Sequence, residues 1–206
     1  MIRNLLFDLG GVIMDIRRER CIEAFRDLGM AEPGQFLGEY VQAGPFGALE
    51  AGEITPAQFR DELRRYLPSG TTDTQIDVAF ERFLIGVPVH RLQALERLRE
   101  RYRLFLLSNT NEIMWNSMIA AEFRKEGHDI AHYFDGTLTS FEARSMKPDA
   151  AIFRIAEQKF GIKPGETLFL DDSASNTEAA AALGFAVMTV PPGSEFMTLL
   201  KAAHYA

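Results

Sequence analysis

The sequence predicts a doubly wound α/β fold, with a parallel sheet at its centre and a helical bundle inserted after the first strand. Three observations carry this expectation. Short apolar runs that stop abruptly at polar residues recur along the chain; helical patterns of three- and four-residue period separate them; and one long interval, 16–87, holds helical patterns alone.

Leu5 to Phe7 is the first apolar run, and Asp8 ends it. Leu104 to Leu107, Thr167 to Leu170 and Phe185 to Val190 follow, with a weaker candidate at Thr137 to Thr139. Apolar residues at consecutive positions suit strands covered on both faces, as parallel strands are. Val89, Leu92, Leu95 and Leu98 recur every three residues and predict a helix ahead of Leu104. Ile152, Ala156 and Phe160 recur every four, with Gly161 placed to cap the helix that they imply.

Between Asp15 and Val87 the pattern predicts helices and no strand. Thr55 is placed as an N-cap, Pro56 takes the first helical position, and Gln58 completes a capping box. Phe59, Leu63 and Leu67 then form a stripe at i, i+4 and i+8. An earlier helix from Arg18 to Leu28, stopped by Gly29, offers Cys21 or Ile22, Phe25 and Leu28 as a facing stripe. Gly44-Pro45-Phe46-Gly47 reads as irregular chain, and Gly86-Val87-Pro88 as the return to the sheet. The expected division is 1–15 and 88–206 for the α/β core and 16–87 for the insert, with hinges near Asp15 and Gly86.

Composition narrows the partners. A chain of 206 residues suffices for a single well-buried core. Its 22 Lys and Arg against 29 Asp and Glu give a net charge of −7, which disfavours nucleic acid and anionic membrane surfaces. No run approaches the roughly 18 apolar residues of a membrane span, and the first apolar run is too short for a signal peptide. Cys21, the single cysteine, excludes an intrachain disulfide and a cysteine-based metal motif. The four histidines, His90, His128, His132 and His204, read as surface residues. A cytoplasmic protein acting on a small metabolite, as a monomer or homodimer, is expected.

The candidate site lies where the strands end, because the carboxyl edge of an open parallel sheet is its ligand crevice. Asp8 follows the first run, Ser108-Asn109-Thr110 the second, Asp171-Asp172 a later one, and Lys147 lies in the loop after Thr137 to Thr139. Asp8 is a potential nucleophile, but three neighbouring carboxylates repel one another unless a divalent cation lies between them. Oxygen ligands alone favour magnesium. Ser108, Asn109 and Lys147 then offer a hydroxyl, a backbone N–H and a positive charge to a phosphoryl group, so the set points to phosphoryl transfer through an aspartyl-phosphate.

Phe7-Asp8-Leu9-Gly10-Gly11-Val12-Ile13-Met14-Asp15, Leu107-Ser108-Asn109-Thr110, Met146-Lys147-Pro148 and Phe169-Leu170-Asp171-Asp172 resemble, in order, the four motifs of the haloacid dehalogenase superfamily. The Asp-Leu-Gly-Gly opening and the Leu-Ser-Asn-Thr-Asn stretch are most similar to those of bacterial sugar-1-phosphate phosphatases. The resemblance implies a Rossmann-like core with a mobile helical cap. It implies Asp8 as nucleophile and magnesium ligand, the Gly10 carbonyl and Asp172 as further ligands, and Asp171 in support. Ser108, Asn109, Thr110 and Lys147 are implied to bind the phosphorylated substrate, with cap contacts near Gly44 to Gly47.

One position departs from the pattern: Gly10 stands where most phosphatases of the superfamily carry a second aspartate as general acid. A positioned acid contributes about 10² to 10⁴ in rate, so the departure favours a leaving group that needs little help, such as an anomeric or acyl phosphate. Asp15 reads as a structural residue at the cap junction. Two alternatives to a phosphatase stand beside it: a 2-haloacid dehalogenase, against which the Asp171-Asp172 pair argues, and a non-catalytic phosphate-binding regulatory module.

Overall fold

The computed structural model describes residues 1–38, 40 and 42–206. Strand β1 (Asn4–Phe7) leads through a tight turn to β2 (Asp15–Ile16). The insert follows as α1 (Arg18–Asp27), α2 (Gly44–Glu50), α3 (Pro56–Leu63) and α4 (Asp73–Glu81), and ends at β3 (Leu84–Gly86). Then come α5 (Val89–Arg99), β4 (Arg103–Ser108), three short helices α6 (Glu112–Met114), α7 (Ala120–Phe123) and α8 (Ile130–Tyr133), and β5 (Gly136–Thr139). Helices α9 (Ser140–Ala143) and α10 (Ala150–Phe160) precede β6 (Thr167–Asp171), α11 (Ala174–Ala182) precedes β7 (Ala186–Thr189), and α12 (Phe196–Ala202) closes the chain.

The five long-range strands form one parallel sheet in the order β5-β4-β1-β6-β7. All five predicted strands are present. Leu5, Phe7, Leu104, Leu106, Leu168 and Leu170 belong to one apolar cluster, while Leu6, Phe105, Leu107 and Phe169 belong to a second. Consecutive residues therefore serve opposite faces, which is why the runs are apolar without a break. The chain winds outward from β1 through β4 to β5 and then reverses through β6 to β7. This reversal puts a topological switch point at the carboxyl end of β1, flanked by β4 and β6.

The interval from Asp15 to Val87 is not free of strands. Asp15–Ile16 and Leu84–Gly86 pair antiparallel, with Asp15 opposite Gly86 and a register shift before Ile16 opposite Leu84. Two and three residues, one of them a charged Asp and one a Gly, carry no period for a sequence reading to find. The two expected hinge points are thus joined to each other. Arg91, buried on α5, fastens the same junction: it donates to the Ile13 carbonyl at 3.2 Å, to Asp15 at 2.8 Å and through two nitrogens to Glu195 at 3.0 and 2.9 Å. Asp15 has the structural role expected of it.

In the insert, the Thr55–Gln58 capping box forms as expected. Its stripe is shorter than expected, because α3 ends at Leu63 and Leu67 is reached only through a 3₁₀ turn, although all three stripe residues are buried. On α1, Cys21 and Phe25 are buried. The segment Gly44–Gly47, expected to be irregular and to touch substrate, is the first turn of α2. Pro45 suits an N-terminal turn, and Gly47 is required where a Cβ would lie 2.5 Å from the Gln42 carbonyl. Phe46 does not line the cavity at the switch point and is completely buried among Phe25, Phe59 and Phe80, at ring separations of 5.3, 5.2 and 5.0 Å. Phe46→Ala is expected to destabilise the protein by about 3–5 kcal/mol, measured by urea unfolding, because these rings and that of Phe36 lose the one they share.

Candidate active site

The switch point gathers what the sequence scatters. Asp8 leaves β1 with its N–H still donating to the Leu170 carbonyl at 2.8 Å, so it remains level with the end of β6. Ser108 is the last residue of β4 and Asp171 the last of β6, while Lys147 arrives in the loop beyond β5. The Lys147 ammonium lies 2.7 Å from Asp8 Oδ1 and 2.7 Å from Asp171 Oδ2, with its side chain only 1% exposed.

Each partner is itself fixed. Asp171, fully buried, accepts from the Ser173 N–H at 2.8 Å and from Asn176 Nδ2 at 3.0 Å, both at the start of α11. Asn109 holds the lysine loop by its backbone: its Nδ2 donates to the Lys147 carbonyl and its Oδ1 accepts from the Lys147 N–H, each at 2.9 Å. The Asn109 carboxamide is therefore engaged in positioning Lys147. The Thr110 N–H, similarly, donates to Ser140 Oγ at 3.0 Å.

Electrostatics follow from burial. Burial drives the Asp8 carboxyl up to about 7, against the pull of Lys147 and with the help of Asp171 and Asp172. Burial alone would lower Lys147, but Asp171 and Asp8 hold its ammonium above the usual lysine range.

Oxygens of Asp8, Asp171 and Asp172 lie within 4.8 Å of one another. Asp172 is half-buried and packs over Gly11, whose φ of +72° and lack of a side chain make room for it; a Cβ there would lie 2.2 Å from Asp172 Oδ2. Clustered carboxylates of which one resists ionisation, with oxygen as the only donor, fit a hard divalent cation such as Mg²⁺.

Asp8, Gly10, Ser108, Asn109, Thr110, Lys147 and Asp172 all line one cavity, whose opposite wall comes from the insert: Tyr40, Gln42, Glu50, Phe80, Phe83 and Leu84. Every site residue singled out in the sequence borders this cavity except Asp171, which lies behind Lys147. The insert does line the cavity, but through residues on either side of the Gly44 to Gly47 stretch that the resemblance points to. Glu50 and Gln42 sit in a stretch that reads as ordinary helix and loop, with no spacing to mark them. The surface histidines are exposed as expected, and His128 and His132 stack at 3.7 Å beside Glu96.

Comparison with known proteins agrees with this geometry. Residues 2–184 match a hydrolase family described as haloacid dehalogenase-like hydrolase. The chain is 34% identical over 196 residues to the D-ribitol-5-phosphate phosphatase of Bacteroides thetaiotaomicron, covering 95% of each. A HAD family enzyme from the same organism, solved in complex with magnesium and inorganic phosphate, superposes with a TM-score of 0.91 at 39% identity, over 97% of this chain and 99% of the other. A predicted HAD-like family hydrolase from Porphyromonas gingivalis superposes with a TM-score of 0.92 at 33% identity, over 100% of this chain and 99% of the other.

Replacing Asn109 by Ala leaves the Lys147 N–H and carbonyl without their partner. The expected loss is about 1–3 kcal/mol in chemical denaturation, together with weaker holding of the ammonium between its two carboxylates.

Proposed function

Because the chain belongs to the haloacid dehalogenase-like hydrolase family, we propose that it is a magnesium-dependent phosphatase that hydrolyses a small sugar or polyol phosphate through an aspartyl-phosphate on Asp8. The observation that carries this reading is the buried Asp8–Lys147–Asp171 chain with Asp172 beside it, at the floor of a cavity roofed by the insert.

Asp8, the Gly10 carbonyl and Asp172 would hold Mg²⁺. When bound, the cation supplies charge neutralisation among the carboxylates and polarises the phosphoryl oxygens. Asp8 attacks phosphorus and forms the aspartyl-phosphate. Lys147 keeps Asp8 oriented and offers its charge to the phosphoryl oxygens as they become more negative, while Asp171 holds the ammonium from behind. Ser108 contributes its hydroxyl and Asn109 its backbone N–H. Thr110 bounds the cavity, its own N–H being taken by Ser140. Segment 16–87 serves as the cap, closing the cavity against water.

The relative from Bacteroides acts on a sugar alcohol phosphate, and the cavity suits that class here. Tyr40, Gln42 and Glu50 offer polar groups to hydroxyls, and Phe80, Phe83 and Leu84 cover the carbon chain. Ribitol 5-phosphate is a primary phosphate, so its leaving group is an ordinary alcohol rather than an anomeric hydroxyl. A 2-haloacid dehalogenase is the poorer reading, since it has no use for the second carboxylate at Asp172. Among the described residues no helix is long and apolar enough to cross a membrane. With a buried lone thiol at Cys21 and a net charge of −7, we infer a cytoplasmic enzyme whose partner is a small phosphorylated metabolite, working as a monomer or homodimer.

Phosphate release from a panel of sugar and polyol phosphates tests this directly. Turnover is expected with Mg²⁺ and is expected to vanish with chelator. Asp8→Asn is expected to lower it by roughly 10³-fold or more. A protein that binds Mg²⁺ and phosphate yet turns over nothing would instead be the regulatory module.

A further inference from the structure

Breaking a phosphate ester of an ordinary alcohol leaves an alkoxide that must be protonated, and the turn after β1 supplies no donor because Gly10 has no side chain. The groups at the cavity floor are committed: Asp8 to attack, and Lys147 to the two carboxylates that it bridges. One carboxyl on the opposite wall is not. Glu50, the last residue of α2, is 9% exposed and borders the same cavity as Asp8, Ser108 and Lys147. Among the described residues, nothing hydrogen-bonds or pairs with its side chain. Burial without a partner pushes its carboxyl up to about 8, so it carries its proton at neutral pH.

Its backbone, in contrast, is pinned to the site. Ser140 Oγ donates to the Glu50 carbonyl at 2.7 Å while accepting from the Thr110 N–H at 3.0 Å. This single hydroxyl links the cap residue to the loop that carries Ser108 and Asn109. Two residues on, Gly52 (φ +68°) lets the chain press against α9, where a Cβ would lie 2.3 Å from the Phe141 carbonyl. A protonated acid that lines the same cavity as the nucleophile, with its own backbone held beside the Ser108–Thr110 loop, has the surroundings that a proton donor requires.

We propose that Glu50 is the general acid and base of this active site, a reading that rests on the phosphatase function above. As Asp8 bonds to phosphorus, the bond from phosphorus to the substrate oxygen breaks, and the Glu50 proton passes to that oxygen to give the free alcohol. The Glu50 carboxylate then takes a proton from water, whose oxygen bonds to phosphorus as the bond to Asp8 breaks. Phosphate leaves, Asp8 is a carboxylate again, and Glu50 is reprotonated.

Glu50→Gln tests this in the magnesium-loaded enzyme, since it keeps size and neutrality and removes the transferable proton. On ribitol 5-phosphate kcat is expected to fall about 10² to 10⁴-fold. On p-nitrophenyl phosphate, whose phenolate departs unprotonated, the variant is expected to release a burst of about one nitrophenolate per enzyme and then stall, because only the water step needs the missing base. Wild-type kcat on the alkyl substrate, a change in KM alone, or equal losses on both substrates without a burst would overturn the assignment. Should Glu50→Gln not fold, Glu50→Asp is read by the same burst. A wild-type enzyme that releases phosphate from neither substrate would instead overturn the phosphatase reading itself.

Discussion

The ammonium of Lys147 lies between two buried carboxylates, and most of the local structure serves to keep it there. Removing an ammonium and two carboxylates from water costs several kcal/mol per ion, which close ionic contacts recover only if the geometry is held. Here it is held from three directions. Asn109 grips the lysine backbone from β4, the start of α11 saturates Asp171, and β1 remains hydrogen-bonded to β6 past its own end to present Asp8. Four distant stretches of sequence meet at the one point where the sheet reverses its winding.

That arrangement explains the division of labour between sheet and insert. The sheet can place charges rigidly because both of its faces are packed, and rigidity is what a charge-stabilising site needs. The insert brings a different set, a polar and aromatic lining for the same cavity. It is attached by more than two flexible links. The β2–β3 pairing and the Arg91 contacts tie its ends together, and Ser140 and Gly52 dock α2 beside the Ser108–Thr110 loop. With Phe46 at the centre of its own aromatic cluster, the insert presents Glu50 and Gln42 from a defined surface.

What could be read from the sequence, and what could not, follows from the range of the interactions. The sheet strands are legible because burial on both faces writes an unbroken apolar run, as at Leu104 to Leu107. The floor of the site is legible because strand ends converge in any open parallel sheet, so Asp8, Ser108 and Asp171 need only be recognised as strand-terminal. The β2–β3 pair is invisible because two or three residues have no periodicity. Gly44–Gly47 misleads because two glycines and a proline signal a break, whereas here Gly47 answers a close approach by the Gln42 carbonyl. Glu50 is hidden for another reason. Its significance lies in having no side-chain partner among the described residues, and the absence of a partner has no sequence signature.

Titration calorimetry with Mg²⁺ on the wild-type protein and on Asp172→Asn is the most direct measurement of whether the carboxylates at the switch point act as one cation site. Binding to the wild type, weakened at least about tenfold in the variant, is the expected result. Equal affinity in the two proteins, or no binding to either, would contradict the placement of the cation and with it the role of Asp8.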